Sequence, residues 1–367
     1  MITGWGLVSP FGDGVEVAIK GLGHGESCIR HQRINGLVEL QLPVATVPQR
    51  PADNVSAPTQ FLLRAMTEAL RQARVTTESE RVQAFVGTCS GDMRRFERYV
   101  TGDLTSSAVF YFAPGVDAAN ALLPKDTQVT CVSSACSSSL AALSLGDKYV
   151  REDRSEICVV GATDSIVTFS AAGFSVLHAL SDDAAKPFSV SRKGLTIGEG
   201  AACVVLERES HARQRGAEIL AYLRGVGMSC DAYHATLPRP DGNGLRLAVQ
   251  RALSEEKLTL SDVDLYVSHG TGTAANDAME VAFLKQAQLS QRRMLAHKGY
   301  IGHAMGASGL MSLVMSIAAS RAENDFGVPY GDWEPGLKLA GTLRGVRTGL
   351  VMTSAFGGSN AAALWSL

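Results

Sequence analysis

Between residues 58 and 75 apolar side chains recur every third or fourth position, with Leu62, Leu63, Met66, Ala69 and Leu70 on one face. That spacing predicts an amphipathic helix. A β-forming run follows at 82–88, and a second at 128–132 turns through Ser133-Ser134-Ala135-Cys136 into a helix reaching about Val150. An apolar run at 157–161 predicts the strand that closes this part of the chain. Past residue 206 the order recurs. Leu245, Leu247, Ala248 and Leu253 predict a helix over 243–255, and residues 264–268 a strand ending in His269-Gly-Thr-Gly-Thr273. Met294, Leu295 and Ala296 then lead through Lys298-Gly-Tyr-Ile-Gly-His303 into an apolar helix at about 305–321. A strand at 349–353 and a glycine turn at 356–358 complete the series. The same order of elements twice over predicts an α/β protein of two duplicated halves, 1–205 and 206–367.

Composition narrows the class. Of 367 residues, 46% are hydrophobic and 19% charged, which excludes a disordered or coiled-coil chain. Basic residues number 34 and acidic ones 36, so a dedicated nucleic-acid binder is excluded as well. No apolar run approaches the ~20 residues of a membrane span. The first residues lack the basic-then-apolar pattern of a secretory signal. Glycine is abundant, yet no Pro/Gly/Ser linker separates the halves, which are expected to share one body. Seven cysteines, at 28, 89, 131, 136, 158, 203 and 230, form no CxxC pair. A disulfide framework and a structural zinc both fit poorly, and the expectation is a reduced, cytoplasmic protein. Six of the seven are expected to be small buried apolar residues.

Cys136 is the exception. It sits where a first-half strand turns into a helix, and His303 sits at the corresponding turn of the second half. His269 lies just past a strand end. Ligands gather at strand C-termini in open α/β architectures. The positive end of a helix favours thiolate over thiol. A cysteine brought together with two histidines by the fold is a recurring nucleophilic arrangement. The neighbouring glycines let the backbone approach a ligand closely. Other motifs fail. Gly4-Trp-Gly6 is not completed as GxGxxG, since position 9 is Ser, and there is no P-loop, HExxH or EF-hand pattern. No metal and no bound cofactor is expected.

Together these residues resemble the elongating β-ketoacyl-acyl-carrier-protein synthases, condensing enzymes of the thiolase fold. The likeness runs along nearly the whole chain: residues 2–10, Ser134-Ala-Cys-Ser-Ser-Ser-Leu140, Gly198-Glu-Gly-Ala201, Asp231-Ala-Tyr-His-Ala-Thr236 with Pro240-Asp-Gly242, His269-Gly-Thr-Gly-Thr273, Lys298-Gly-Tyr-Ile-Gly-His303, and Phe356-Gly-Gly-Ser-Asn360. The resemblance implies a five-layer αβαβα architecture. It also implies a homodimer, or a heterodimer with a related ketosynthase-like subunit, and acyl carrier protein as the partner that delivers substrates on phosphopantetheine. Cys136 would take up the acyl group, and malonyl-carrier protein would then lose carbon dioxide and attack it, in fatty acid or polyketide elongation. The backbone N–H groups of Cys136 and Phe356 would form the oxyanion hole, and neutral His269 and His303 would donate to the enolate. Lys298 would order this network with Glu280 as partner, while Asp231 and Asp277 hold the site together. Thr271, Thr273 and Thr236 would contact the substrate arm, and Phe356 would gate the acyl pocket.

Several positions depart from the family pattern. Ser133-Ser134 stands where an acidic-Thr pair is usual, and Ser354-Ala355 where an aromatic and a glycine are common. Gly299 follows Lys298 in place of Ser, Ser189 replaces an Asp, and Lys193 also departs. A degradative thiolase needs a second cysteine near the C-terminus, but the last one here is Cys230. Priming synthases carry Asn where this chain has His303. The alternative that stays open is a chain-length-factor-like subunit, active only beside a partner.

Overall fold

In the computed structural model, which describes residues 1–52, 55–75, 81–102, 113–290, 292–326, 330–339 and 341–367, two sheets of one design face each other. The first consists of β1 (Ile2–Ser9), β2 (Val82–Gly87), β3 (Gln128–Val132), β4 (Ile157–Asp164) and β5 (Gly200–Glu207), in the order β1-β5-β4-β2-β3. The second consists of β6 (Tyr222–Cys230), β7 (Leu265–Val267), β8 (Arg293–Leu295), β9 (Thr348–Ser354) and β10 (Ser359–Ser366), in the order β6-β10-β9-β7-β8. Adding five to each label of the first order gives the second. Strand senses agree as well: the first two pairings of each sheet are antiparallel and the next two parallel. Each sheet gains a two-residue edge strand, Gly12–Asp13 beside β1 and Lys338–Leu339 beside β8.

Helices fill three layers around these sheets. Helices Ser138–Arg151 and Ser308–Arg321 lie between the sheets and touch each other. Residues 308–320 of the latter are buried on every side, which is why its sequence is apolar or small all round rather than amphipathic. Helix Ala57–Ala73 covers the outer face of the first sheet and helix Asn243–Ser254 that of the second. Three apolar clusters correspond to these layers: one between the sheets and one under each outer cover. The architecture is the five-layer αβαβα arrangement.

The abortive Gly4-Trp-Gly6 motif has a packing explanation. A Cβ on Gly4 would lie 2.2 Å from the Ala69 carbonyl oxygen, and one on Gly6 1.9 Å from that of Ala65. In the second half, a Cβ on Gly225 or Gly227 would lie 2.3 Å or 2.0 Å from the carbonyl of Ala252 or Ala248. Each outer helix thus rests its backbone on a Gly-x-Gly strand through two alanines one turn apart, a contact only glycine allows.

The structure corrects several sequence expectations. The run at 157–161 does not close the first half. It extends to Asp164 in mid-sheet, and β5 closes the half by inserting between β1 and β4. β5 also runs to Glu207, past the division placed at 205. The cysteines are not uniformly buried: Cys158 and Cys203 are, but Cys28, Cys89 and Cys131 are half-buried and Cys230 is exposed. Among the described residues no disulfide joins any two of them. Among the described residues no helix is long and apolar enough to cross a membrane.

Candidate active site

Cys136 follows β3 and stands two residues before helix Ser138–Arg151, as the turn pattern predicts. The preceding Ala135 has φ 47°, a left-handed conformation that costs a non-glycine residue about 1 kcal/mol. Such strain fixes the direction in which the next side chain leaves the backbone. The sulfur points across to the second half, where His303 Nε2 lies 3.1 Å away. The imidazoles of His269 and His303 meet edge to face, with ring centroids 5.1 Å apart and planes at 85°. Sulfur and one nitrogen from each ring lie within 4.8 Å of one another, and all three residues are buried. Among the described residues this is the only trio of His, Cys, Asp or Glu spaced to ligate a metal. An ion held there would occupy the same three reactive atoms.

Backbone contacts explain how two halves meet so closely. The N–H of His303 donates to the Thr196 carbonyl at 2.7 Å, and its carbonyl accepts from Gly198 N–H at 3.0 Å. Gly198 has no room for a side chain, because a Cβ would sit 2.1 Å from the Ile301 carbonyl oxygen. Asp164, at the end of β4, is the second tie. One carboxylate oxygen accepts from Ser90 N–H at 2.7 Å and from the Thr88 hydroxyl at 3.1 Å. The other accepts from Cys89 N–H at 2.9 Å and from Gly306 N–H at 2.7 Å, so one buried side chain joins the first half to the loop carrying His303. Burial pushes the Asp164 carboxyl up to about 6, against the pull of its donors. Sequence reasoning missed Asp164; a lone carboxylate ending an apolar strand was the available signal.

Lys298 and Glu280 hold His269 from opposite sides. The Lys298 ammonium donates to the His269 carbonyl and lies 3.5 Å from His269 Nδ1. Glu280 accepts the N–H groups of His269 and Gly270 at 2.8 and 2.6 Å. The direct Lys298–Glu280 pair implied by the family resemblance does not form, since no contact within 4 Å joins them. They act through the peptide between them and through mutual electrostatics: burial pulls Lys298 down while Glu280 pushes it up. Burial pushes Glu280 up in turn, with nearby Asp277 adding to the effect. Asp277 accepts from Phe188 N–H at 2.7 Å and from Thr271 and Gly272 N–H at 3.1 and 3.2 Å. Asn276, not singled out from the sequence, bridges both carboxylates.

A cavity of about 260 Å³ runs from buried Cys136 to exposed Leu237 and Phe356. Thr236, Thr271 and Thr273 line it, with the two last hydroxyls 2.9 Å apart. Lys298, Glu280, Asp231 and Asp277 are not in its lining. The Phe356 ring packs 5.8 Å from Phe174, an aromatic partner that sequence reasoning did not identify. The Cys136 backbone N–H leans toward its own sulfur, and the Phe356 backbone N–H opens the turn that lines the cavity beside it. The Phe356 turn is anchored by Asn360, which accepts from the Ser354 hydroxyl at 2.7 Å and donates to Asp231 at 2.8 Å. Asp231 also accepts from Arg239 N–H at 2.9 Å. The departure at Ser354 thus supplies the hydroxyl that orients Asn360. Gly299 is explained too, because a Cβ there would sit 2.7 Å from the Tyr330 ring.

The helix mouth alone does not make Cys136 a thiolate. Burial pushes its thiol up to about 12, with Lys298 pulling down and Asp164 pushing up. Because the raised value lies above working pH, the reactive anion is a small fraction that grows as pH rises. Alkylation of Cys136 by iodoacetamide is therefore expected to accelerate about tenfold per pH unit from pH 7 to 10. A plateau below pH 8, followed by peptide mass spectrometry, would show a preformed thiolate instead. Both histidines titrate well below their ordinary value, chiefly through burial and then through Lys298, which keeps them neutral at pH 7.

Comparison with known proteins places this geometry. The pattern described as "Beta-ketoacyl synthase, N-terminal domain" matches residues 40–212, and that described as "Beta-ketoacyl synthase, C-terminal domain" matches residues 220–323. The chain is 31% identical to 3-oxoacyl-[acyl-carrier-protein] synthase 2 of Rhizobium meliloti, over 88% of this chain and 86% of that protein. It is 30% identical to the tetracenomycin polyketide synthase ketoacyl synthase alpha subunit of Streptomyces glaucescens, over 91% and 87%. Its fold matches a type II polyketide ketosynthase solved with its acyl-carrier protein, AntDE:AntF, at TM-score 0.90 and 24% identity, covering 100% of this chain and 98% of that one. The ishigamide ketosynthase/chain length factor matches at TM-score 0.88 and 25% identity, covering 100% and 98%.

Proposed function

The chain belongs to the β-ketoacyl synthase family, and from that membership and the buried Cys–His–His cluster we propose that it catalyses decarboxylative condensation of an acyl group with malonyl-carrier protein. The observation that carries this reading is the 3.1 Å contact between Cys136 Sγ and His303 Nε2 at the inner end of a cavity lined by threonines.

In the first step the Cys136 sulfur attacks the thioester carbonyl carbon of an acyl-carrier protein. The developing oxyanion takes hydrogen bonds from the backbone N–H groups of Cys136 and Phe356, the former turning to it from the sulfur as the sulfur becomes acylated. Collapse breaks the old C–S bond, and the carrier leaves as a thiol with the proton that Cys136 gave up. The acyl chain then lies past the Phe174–Phe356 pair. In the second step malonyl-carrier protein threads its arm between Thr236, Thr271 and Thr273. Loss of carbon dioxide leaves the electron pair as a thioester enolate, whose oxygen accepts N–H donation from neutral His269 and His303. The enolate carbon attacks the acyl-Cys carbonyl, and the Cys136 thiolate departs. No metal or bound cofactor is needed in this sequence; the phosphopantetheine arm arrives with the carrier.

Acyl carrier protein and a second ketosynthase-like chain are the proposed partners. The outer edge of β3 supports the latter: it ends its sheet with no further strand among the described residues, and such an edge invites pairing with another chain. An obligate heterodimer and a self-sufficient homodimer make different predictions for the purified chain. Incubated alone with acyl-carrier proteins of several lengths, it is expected to gain the acyl mass on the peptide containing Cys136. Labelling that occurs only after a related subunit is added would favour the partner-dependent reading. Absence of labelling in both cases would refute the proposed reaction.

A further inference from the structure

His303 has two ring nitrogens, and only one carries a proton when the ring is neutral. Nε2 faces Cys136. The other, Nδ1, meets the Ser308 hydroxyl at 2.8 Å. Ser308 is buried at the start of helix Ser308–Arg321, five residues beyond His303, and its hydroxyl has no other hydrogen-bond partner among the described residues. We infer that Ser308 is a positioning residue that keeps the proton of His303 on Nε2, where it faces the reacting sulfur and the enolate oxygen.

The direction follows from satisfying each buried polar group. If the hydroxyl accepted from Nδ1–H, its own O–H proton would be buried without an acceptor, an arrangement folded proteins avoid. If the hydroxyl donates to Nδ1, both groups are satisfied and the ring proton is placed on Nε2. Lys298 does the same for His269: an ammonium has only donors, so the nitrogen nearest to it must be the bare one. Two different side chains thereby set both imidazoles as donors toward one point. The turn carrying Ser308 is itself held, because the Ser312 hydroxyl donates to the Ser308 carbonyl at 2.6 Å. That donation leaves Ser312 to accept from His297 Nε2 at 2.9 Å. Hydroxyl placement therefore extends one helical turn behind the reacting residues.

This inference rests on the reading of His303 as an N–H donor, but its first test does not. Two-bond proton–nitrogen spectra of protein carrying isotope-labelled histidine report which ring nitrogen is protonated, with the His303 signal assigned by its loss in His303→Asn. Wild type is expected to show the Nε2–H form for His303, Ser308→Ala to lose that preference, and Ser308→Thr to keep it. Decarboxylation of malonyl-carrier protein is expected to fall on the order of tenfold in Ser308→Ala and to recover in Ser308→Thr, with Cys136 acylation changed by about twofold or less. A wild-type ring protonated on Nδ1 overturns the inference without any variant, as does an unchanged tautomer in Ser308→Ala. If instead Cys136 is never acylated, the proposed reaction fails while the tautomer result stands.

Discussion

Cys136→Ser is expected to abolish condensation, lowering the rate by about four orders of magnitude or more, as removal of a nucleophile does in enzymes whose reacting groups act as a unit. The physical reason is specific to the site. Burial already holds the cysteine thiol mostly protonated, and a hydroxyl in the same place ionises far less readily. The imidazole at 3.1 Å is neutral through burial and does not offset that difference. Cys136→Gln separates the two steps. A side-chain amide resembles the acylated cysteine in shape and polarity and leaves both donor histidines in place, so carbon dioxide release from malonyl-carrier protein is expected to persist. A serine variant that elongates at the wild-type rate would remove Cys136 from the nucleophile role. Complete loss of carbon dioxide release in the glutamine variant would argue against two separable steps.

His303→Ala is the second large effect. Removing one preorganised donor from a dry site costs on the order of 10²–10³ in rate, and in the proposed reaction decarboxylation is the step whose charge that donor faces. In the proposed reaction acyl loading draws on the Cys136 and Phe356 amides, which the substitution leaves intact, so loading is expected to suffer less. Single-turnover carbon dioxide release and intact-mass acylation measure the two steps separately. Equal damage to both would tell against the enolate-donor assignment.

Much of this site was legible because its reacting residues lie at strand ends, where a break in apolar pattern meets glycine. His269 and His303 could be picked out in that way and Cys136 by its place where a strand turns into a helix, and the duplicated order of elements told which turns correspond. The supporting shell was harder to see. Asp164 and Ser308 work through bonds to residues that are remote in sequence or on the next element; Ser308 disturbs no local pattern, and Asp164 shows only as a lone carboxylate ending an apolar strand. Lys298 and Glu280 came from resemblance alone, and the direct pair it implied is replaced by a shared grip on one peptide. Among the strands, β5, β6 and β10 escaped notice for a different reason. β5 and β10 are buried on both faces and β6 through its middle, Gly225–Gly227, so small residues replace the alternation that marks a half-exposed strand.

The contact between Cys136 and His303 joins equivalent turns, one following β3 and the other following β8. Each of these turns leads into one of the two helices that touch between the sheets, so the sulfur–imidazole contact lies at the seam where the halves meet. The sulfur comes from one half and both imidazoles from the other, so neither half holds a full set of reacting groups. Anything that parts the halves by even a few ångströms is therefore expected to silence the site while leaving each sheet intact.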